Sequence, residues 1–401
     1  MKHATLFSTS LALTAFFLVS AFVRADESAQ ALTSRLDAIE SKYAPDLRLD
    51  LFETTLDAKK QTARVATTSK EACDAIRQVA ADFPGWKIDA ALYPEENLEL
   101  NGKWRALVNF SSIQLQKKPD HASEWGTQSV MGTPVRILKK EGGWVLIQND
   151  DGYLGYATSG SVAAKTEEEF EAWRRAKKVV WLENYGFIYA EPSLDAPTIS
   201  DLTPICTLVW KDEKVENGFY RVETPDGRLG WIPQKGAMEY DEWLDSRELT
   251  ADALIATARR FLGSPYVWGG ATSKGMDCSG LVSLTFRING FNILRDVSQI
   301  RREGIDVDVS QGYKNFQPGD LLIFGQKRSN GTYSWRHVAI YEEDGRFVHS
   351  ATSVHESSLD PDSPIYDAYN ARELIKVVRM IGAPYTEHFH PLQGRSSSTQ
   401  N

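Results

Sequence analysis

The sequence predicts a multidomain α+β protein: a small mixed module, two β-barrels, and a C-terminal domain in which helices precede an antiparallel sheet. Three observations carry this. Residues 142–162 (GGWVLIQNDDGYLGYATSGSV) and 217–237 (NGFYRVETPDGRLGWIPQKGA) align at an offset of 75 positions, an internal repeat of strand, Asp-Gly turn, and Gly plus aromatic. After Thr250 two helical stretches lead into consecutive strand-like runs, a segregated α+β order. Between 47 and 92 the apolar spacing changes from alternating to helical and back. With 401 residues, 42% of them hydrophobic and 11% aromatic, the chain has the apolar content for real cores. Its length suits two to four domains of roughly 100–200 residues.

Residues 1–25 read as a secretory signal. Lys2 and His3 supply a basic start, an apolar run follows from Leu11 to Val23, and Val23-Arg24-Ala25 precedes Asp26, the expected start of the mature chain. The run is shorter than the ~20 residues of a membrane span, and no cysteine adjoins the cleavage position for lipid attachment. The expected location is therefore secreted or periplasmic, as a soluble chain with no stable membrane insertion. Loss of Lys2 and Arg24 with the signal moves the net charge from −9 to −11. Such a chain gains nothing from phosphate backbones or anionic lipid surfaces, so no nucleic-acid partner is expected. Three cysteines, Cys73, Cys206 and Cys278, are too few for a disulfide framework, and an odd count leaves at least one thiol free. Whether Cys73 and Cys206 pair is open at this level.

Residues 26–103 form the small module: a helix around 27–42, alternation in LRLDLFE (47–53) and near 64–67, then a helix with Ala72, Ile76, Val79 and Phe83 on one face. Thr68 and Glu71 stand at capping-box spacing ahead of that helix, and Pro84-Gly85 ends it. The repeat defines barrels at 104–165 and 179–240, joined by the charged helix TEEEFEAWRRAKK within 166–178. The last domain is expected over 241–385. Its first helix has Thr250 as N-cap, Leu254, Ala258 and Phe261 on one face, and Gly263 as its stop. A Gly-rich loop leads to a second helix beginning at Cys278. Strands are expected at 320–325, 337–342, 346–351 and 374–380, and a disordered tail at 386–401.

Cys278 stands at the start of that second helix, where unpaired N–H groups and the helix dipole lower a thiol pKa. A neighbouring imidazole would lower it further by holding the proton as an ion pair. His337 opens one strand and His349 lies in the next, across the turn EEDGR, so the two rings can meet. His337 then reads as general base, and His349 as the group that fixes its tautomer. No C-x-x-C or H-x-x-x-H spacing occurs, and one cysteine with two histidines lacks a fourth ligand, so neither metal nor other cofactor is expected.

The motifs SPYVWGG, DCSGLV, LRDVSQ, QPGDLLIF, HVAIY and FVHS, in this order over 250–382, resemble the NlpC-type papain-like cysteine peptidases of bacterial cell walls. The two repeats resemble bacterial SH3-like domains, and the whole resembles the γ-D-glutamyl-L-diamino-acid endopeptidase branch, the dipeptidyl-peptidase VI type. The resemblance implies that Cys278 attacks, His337 is base and acid, and His349 orients it. It also implies that Tyr266, Asp277, Ser279 and Ser298 line the substrate side. Glu124, in HASEWGTQSV, is the implied receptor for a substrate amine, with Tyr156 assisting. The sequence has ILRD where the family usually has LPRD. The implied partner is a peptidoglycan-derived peptide, L-Ala-γ-D-Glu-diamino acid, cut by a monomer. Two alternatives stand beside it: an endopeptidase on intact glycan-attached stems, and an inactive wall-binding protein, which the complete Cys-His-His set disfavours.

Overall fold

Leu32, Leu36 and Ile39 repeat at helical spacing, and residues 27–43 form a helix that buries them against Val65, Ile76 and Trp86. The structure, a computed structural model, describes residues 27–394; the expected signal lies outside them. One compact unit ends at Asn101 and a second begins at Gly102. In the first, strand Phe52–Asp57 pairs antiparallel with Thr62–Thr67, and helix Lys70–Val79 crosses over to the parallel strand Lys87–Leu92. The expected cap is displaced by one residue. Ser69, not Thr68, accepts the Ala72 N–H, because the Thr68 hydroxyl is already taken by the Leu51 N–H at 3.0 Å.

In the second unit the repeat becomes two seven-stranded antiparallel sheets with the same strand connectivity, each numbered from its own first strand. The aligned segments are equivalent hairpins: Trp144–Gln148 with Leu154–Thr158, and Phe219–Glu223 with Leu229–Pro233. Helix Glu167–Arg175 joins them, its start closed by a reciprocal Thr166–Glu169 capping box.

The remaining residues build a six-stranded antiparallel sheet in the order Ile305–Val307, Leu374–Arg379, Leu321–Lys327, Tyr333–Tyr341, Arg346–Ser350, Val354–Ser358. Helices Ala251–Arg259 and Cys278–Ile288 precede it. The strands at 305–307 and 354–358 are additions to those read from sequence. The tail also differs from expectation over its described part. Phe389 is fully buried, stacking on Phe291 at 6.2 Å, and His390–Pro391 pairs with Phe291–Asn292. One large aromatic is enough to anchor this segment; 395–401 lies outside the described residues.

The first barrel docks on the C-terminal domain through polar groups. Asp150 holds Arg287 at both guanidinium ends (2.9 and 2.7 Å), and Gln128 Oε1 accepts from the Ala271 N–H at 2.9 Å. Lys274 bridges all three parts, reaching Ser111 at 2.8 Å and Asp201 at 2.7 Å. Tyr185 of the second barrel donates to the Ser273 carbonyl at 2.6 Å.

Candidate active site

Asp277 is the N-cap of helix Cys278–Ile288: its Oδ1 accepts the Gly280 N–H at 2.7 Å and its Oδ2 the Gly269 N–H at 2.9 Å. Gly280 faces the Gly270 carbonyl so closely that a Cβ there would collide with it. At Gly269, with φ +73°, a side chain would strike Trp125 of the first barrel. The glycines on both sides of Cys278 thus let loop, helix and barrel close around one point.

Arg295 completes this core. It is 1% exposed and grips Asp277 at both oxygens (3.0 and 2.7 Å), donates to Ser279 Oγ at 2.7 Å, and reaches Thr127 Oγ1 of the barrel at 2.9 Å. Asp277 and Ser279 are therefore committed to Arg295 and the helix start. The unusual ILRD form leaves Leu294 buried and Arg295 directed inward.

The sulfur of Cys278 is buried, with the backbone N–H groups of Val338 and Ser279 as donors. Val338 follows His337 directly, so the thiol lies against the strand that carries the imidazole. His337 Nε2 is 2.7 Å from His349 Nδ1, the rings nearly perpendicular at 76°, which leaves Nδ1 as the ring atom of His337 not held by His349. His349 Nε2 in turn is 3.0 Å from His355 Nε2 and 3.1 Å from Ser357 Oγ.

Electrostatically the site departs from the expected ion pair. Burial, then Asp277, pushes the Cys278 thiol up to about 12, against the pull of the Val338 N–H, Arg295 and the Ser279 N–H. Burial, then His349 and Arg336, holds His337 well below the usual histidine range, and burial with His355 brings His349 down to about 4. Two groups sharing one dry pocket resist charge separation, and the helix dipole does not overcome it. Both shifts favour the neutral thiol and the neutral imidazole at rest. The other two thiols are free and buried, and burial pushes both up, so thiol acidity does not set Cys278 apart.

Of the other expected positions, Tyr266 is half-buried, and its hydroxyl is held protonated by burial, Cys278 and Asp277. Glu124 leaves its barrel to meet the SPYVWGG loop: Oε1 accepts from Trp268 Nε1 at 2.7 Å while Oε2 pairs with Lys117 at 2.7 Å. Lys117 holds the Glu124 carboxyl below its usual range. Ser298 sits half-buried in the short helix Val297–Ile300. Tyr156 is directed within its own barrel, its hydroxyl donating to Glu141 at 3.1 Å. Tyr153, in the same stretch, donates to Asp296 of the C-terminal domain at 3.3 Å. Sequence reasoning passed over Arg295, Trp268, Tyr153 and His355. The first two stand inside quoted motifs, and that was the available signal.

Comparison with known proteins agrees with this geometry. Residues 263–379 match the NlpC/P60 family, and 115–161 match the bacterial dipeptidyl-peptidase Sh3 domain. A γ-D-glutamyl-L-lysine dipeptidyl-peptidase of Bacillus cereus is 28% identical over 60% of this chain and 72% of its own. Dipeptidyl-peptidase 6 of Lysinibacillus sphaericus is 26% identical over 69% of this chain and 98% of its own. The fold is shared with a solved NlpC/P60 family protein from Bacillus cereus (TM-score 0.58, 24% identity, 69% of this chain and 99% of that one). Residues 263–379 thus form an NlpC/P60 domain, preceded at 115–161 by a dipeptidyl-peptidase SH3 domain, and the chain is a peptidase.

Proposed function

We propose that the enzyme hydrolyses the amide between the γ-carboxyl of D-glutamate and the following diamino acid, in peptidoglycan-derived peptides with a free N-terminal L-alanine. The observation that carries this reading is the Glu124–Trp268 contact. It supports a barrel carboxylate standing over the loop that leads to Cys278, where it would meet a substrate ammonium. The name of the Bacillus cereus relative, a γ-D-glutamyl-L-lysine dipeptidyl-peptidase, supports the γ-D-glutamyl bond. Asp277 is buried and held by Arg295, whereas Glu124 pairs with Lys117 at an exposed position where a substrate ammonium can replace or join the lysine, so recognition of the amine falls chiefly on Glu124 in this proposal. Among the described residues no helix is long and apolar enough to cross a membrane. A secreted or periplasmic monomer, in the domain arrangement given above, is part of the same proposal.

In the reaction, His337 Nδ1 takes the thiol proton as Cys278 Sγ bonds to the γ-carbonyl carbon. The Cys278 backbone N–H stabilises the oxyanion, and Tyr266, still protonated, lines the substrate side. The C–N bond breaks as His337 returns its proton to the leaving amine, giving a thioester. Water then attacks that carbonyl, passes a proton to His337, and the C–S bond breaks with reprotonation of the sulfur. His349 holds the imidazole throughout. The test is incubation with L-Ala-γ-D-Glu-diaminopimelate: the native protein releases L-Ala-γ-D-Glu and Cys278→Ala does not. Cleavage at another bond would refute the assignment.

A further inference from the structure

We propose that His355 is a positioning residue that sets the tautomer of His337 through His349, with the Ser353 carbonyl as the fixed end of the relay. The proposal rests on the reading of His337 as general base. A carbonyl oxygen can only accept a hydrogen bond. His355 Nδ1, 2.8 Å from Ser353 O, therefore carries its hydrogen, and neutral His355 presents only a lone pair at Nε2. His349 Nε2, 3.0 Å away, must donate to it, with Ser357 Oγ as a second acceptor at 3.1 Å. Neutral His349 then has its lone pair at Nδ1, so His337 Nε2, at 2.7 Å, must donate in turn. What remains on neutral His337 is a lone pair at Nδ1, the one tautomer that can take the Cys278 proton.

The fixed end is itself held. His355 pairs directly with His349 across the sheet, and Ser353 O also accepts the Ala351 N–H at 3.1 Å. The turn is pinned to the loop before Cys278 by Tyr266 N–H to Thr352 O (3.1 Å) and Gly263 N–H to Val354 O (2.8 Å). A shift of this turn would therefore move both the relay and the substrate-side tyrosine.

The test is nitrogen-15 NMR of the histidine rings in the full chain, together with steady-state kinetics. The native spectrum should show His337 with Nδ1 bare and Nε2 protonated. His355→Phe removes the acceptor that fixes the direction and leaves only Ser357 Oγ, a hydroxyl that can donate as well as accept, so it should give mixed His337 tautomers and a loss of about tenfold or more in kcat. KM should move by less than about twofold, since substrate contacts are untouched. His355→Gln, whose amide oxygen replaces the Nε2 lone pair, should restore most of kcat. A native His337 protonated at Nδ1 overturns the relay, even if the Phe variant does not fold. So does a folded His355→Phe with native kcat and an unchanged His337 spectrum, or a Gln variant no better than Phe. If the derived tautomer is present but the γ-D-glutamyl peptide is not cut, the function reading fails and the relay stands.

Discussion

Arg295 holds both carboxylate oxygens of Asp277 at 3.0 and 2.7 Å in a pair almost wholly removed from solvent. This pair couples the residue before Cys278 to the barrel, because the same guanidinium reaches Thr127. Removing one partner leaves a buried charge uncompensated. Arg295→Met is expected to destabilise the fold by about 3–5 kcal/mol, and the double variant with Asp277→Asn to recover part of the loss. Urea unfolding measures both. A single variant within about 1 kcal/mol of native would show that the pair is unimportant to the fold.

Cys278→Ala should abolish hydrolysis with the circular dichroism spectrum unchanged, since the replacement sits at a helix start and removes one small group. Cys73→Ala, in the first unit's core, and Cys206→Ala, whose sulfur contacts Thr203 and Ser111, should keep their turnover. Residual turnover above background in Cys278→Ala would remove the nucleophile from the scheme.

The pH dependence follows from the depressed imidazoles. A base whose pKa lies below the ordinary value stays neutral, and so competent, as pH falls through about 6.5. The acid limb of kcat/KM should therefore have its midpoint below that value, and His337→Ala should cost nearly as much as Cys278→Ala, with His349→Ala less damaging. An acid midpoint above the free-histidine value would contradict the burial argument.

Alkylation tests the neutral resting pair. With its thiol pushed up to about 12, Cys278 should react with iodoacetamide more slowly at neutral pH than free cysteine, and faster as pH rises. Rapid labelling well below pH 8, slowed by His337→Ala, would instead reveal a preformed thiolate–imidazolium pair.

Much of the site was legible because its groups sit inside short motifs: Cys278 after a capping Asp277, and His337 and His349 on strands joined by a tight turn. Long-range partners were not. His355 lies on a strand, Val354–Ser358, whose polar run VHESS carries no apolar alternation. Arg295 reads as a loop residue until Asp277, Ser279 and Thr127 converge on it. Local sequence reports the helix start at Cys278, which lowers a thiol pKa, but not the burial, which pushes it up. Serines beyond Gly394 made the tail read as polar throughout and hid the anchor at Phe389.

Substrate discrimination tests the central claim most directly. Glu124 is 44% exposed, so its attraction for an ammonium is partly screened. Glu124→Ala should lower kcat/KM on L-Ala-γ-D-Glu-diaminopimelate roughly tenfold, about 1.4 kcal/mol, and narrow its advantage over the N-acetylated peptide. The deciding measurement is kcat/KM of the native enzyme on the free and the N-acetylated peptide. The free form should be cleaved efficiently and the acylated one poorly, since its nitrogen has lost its charge and gained bulk against the barrel. Comparable values for the two would contradict it, and favour an endopeptidase acting on intact stems.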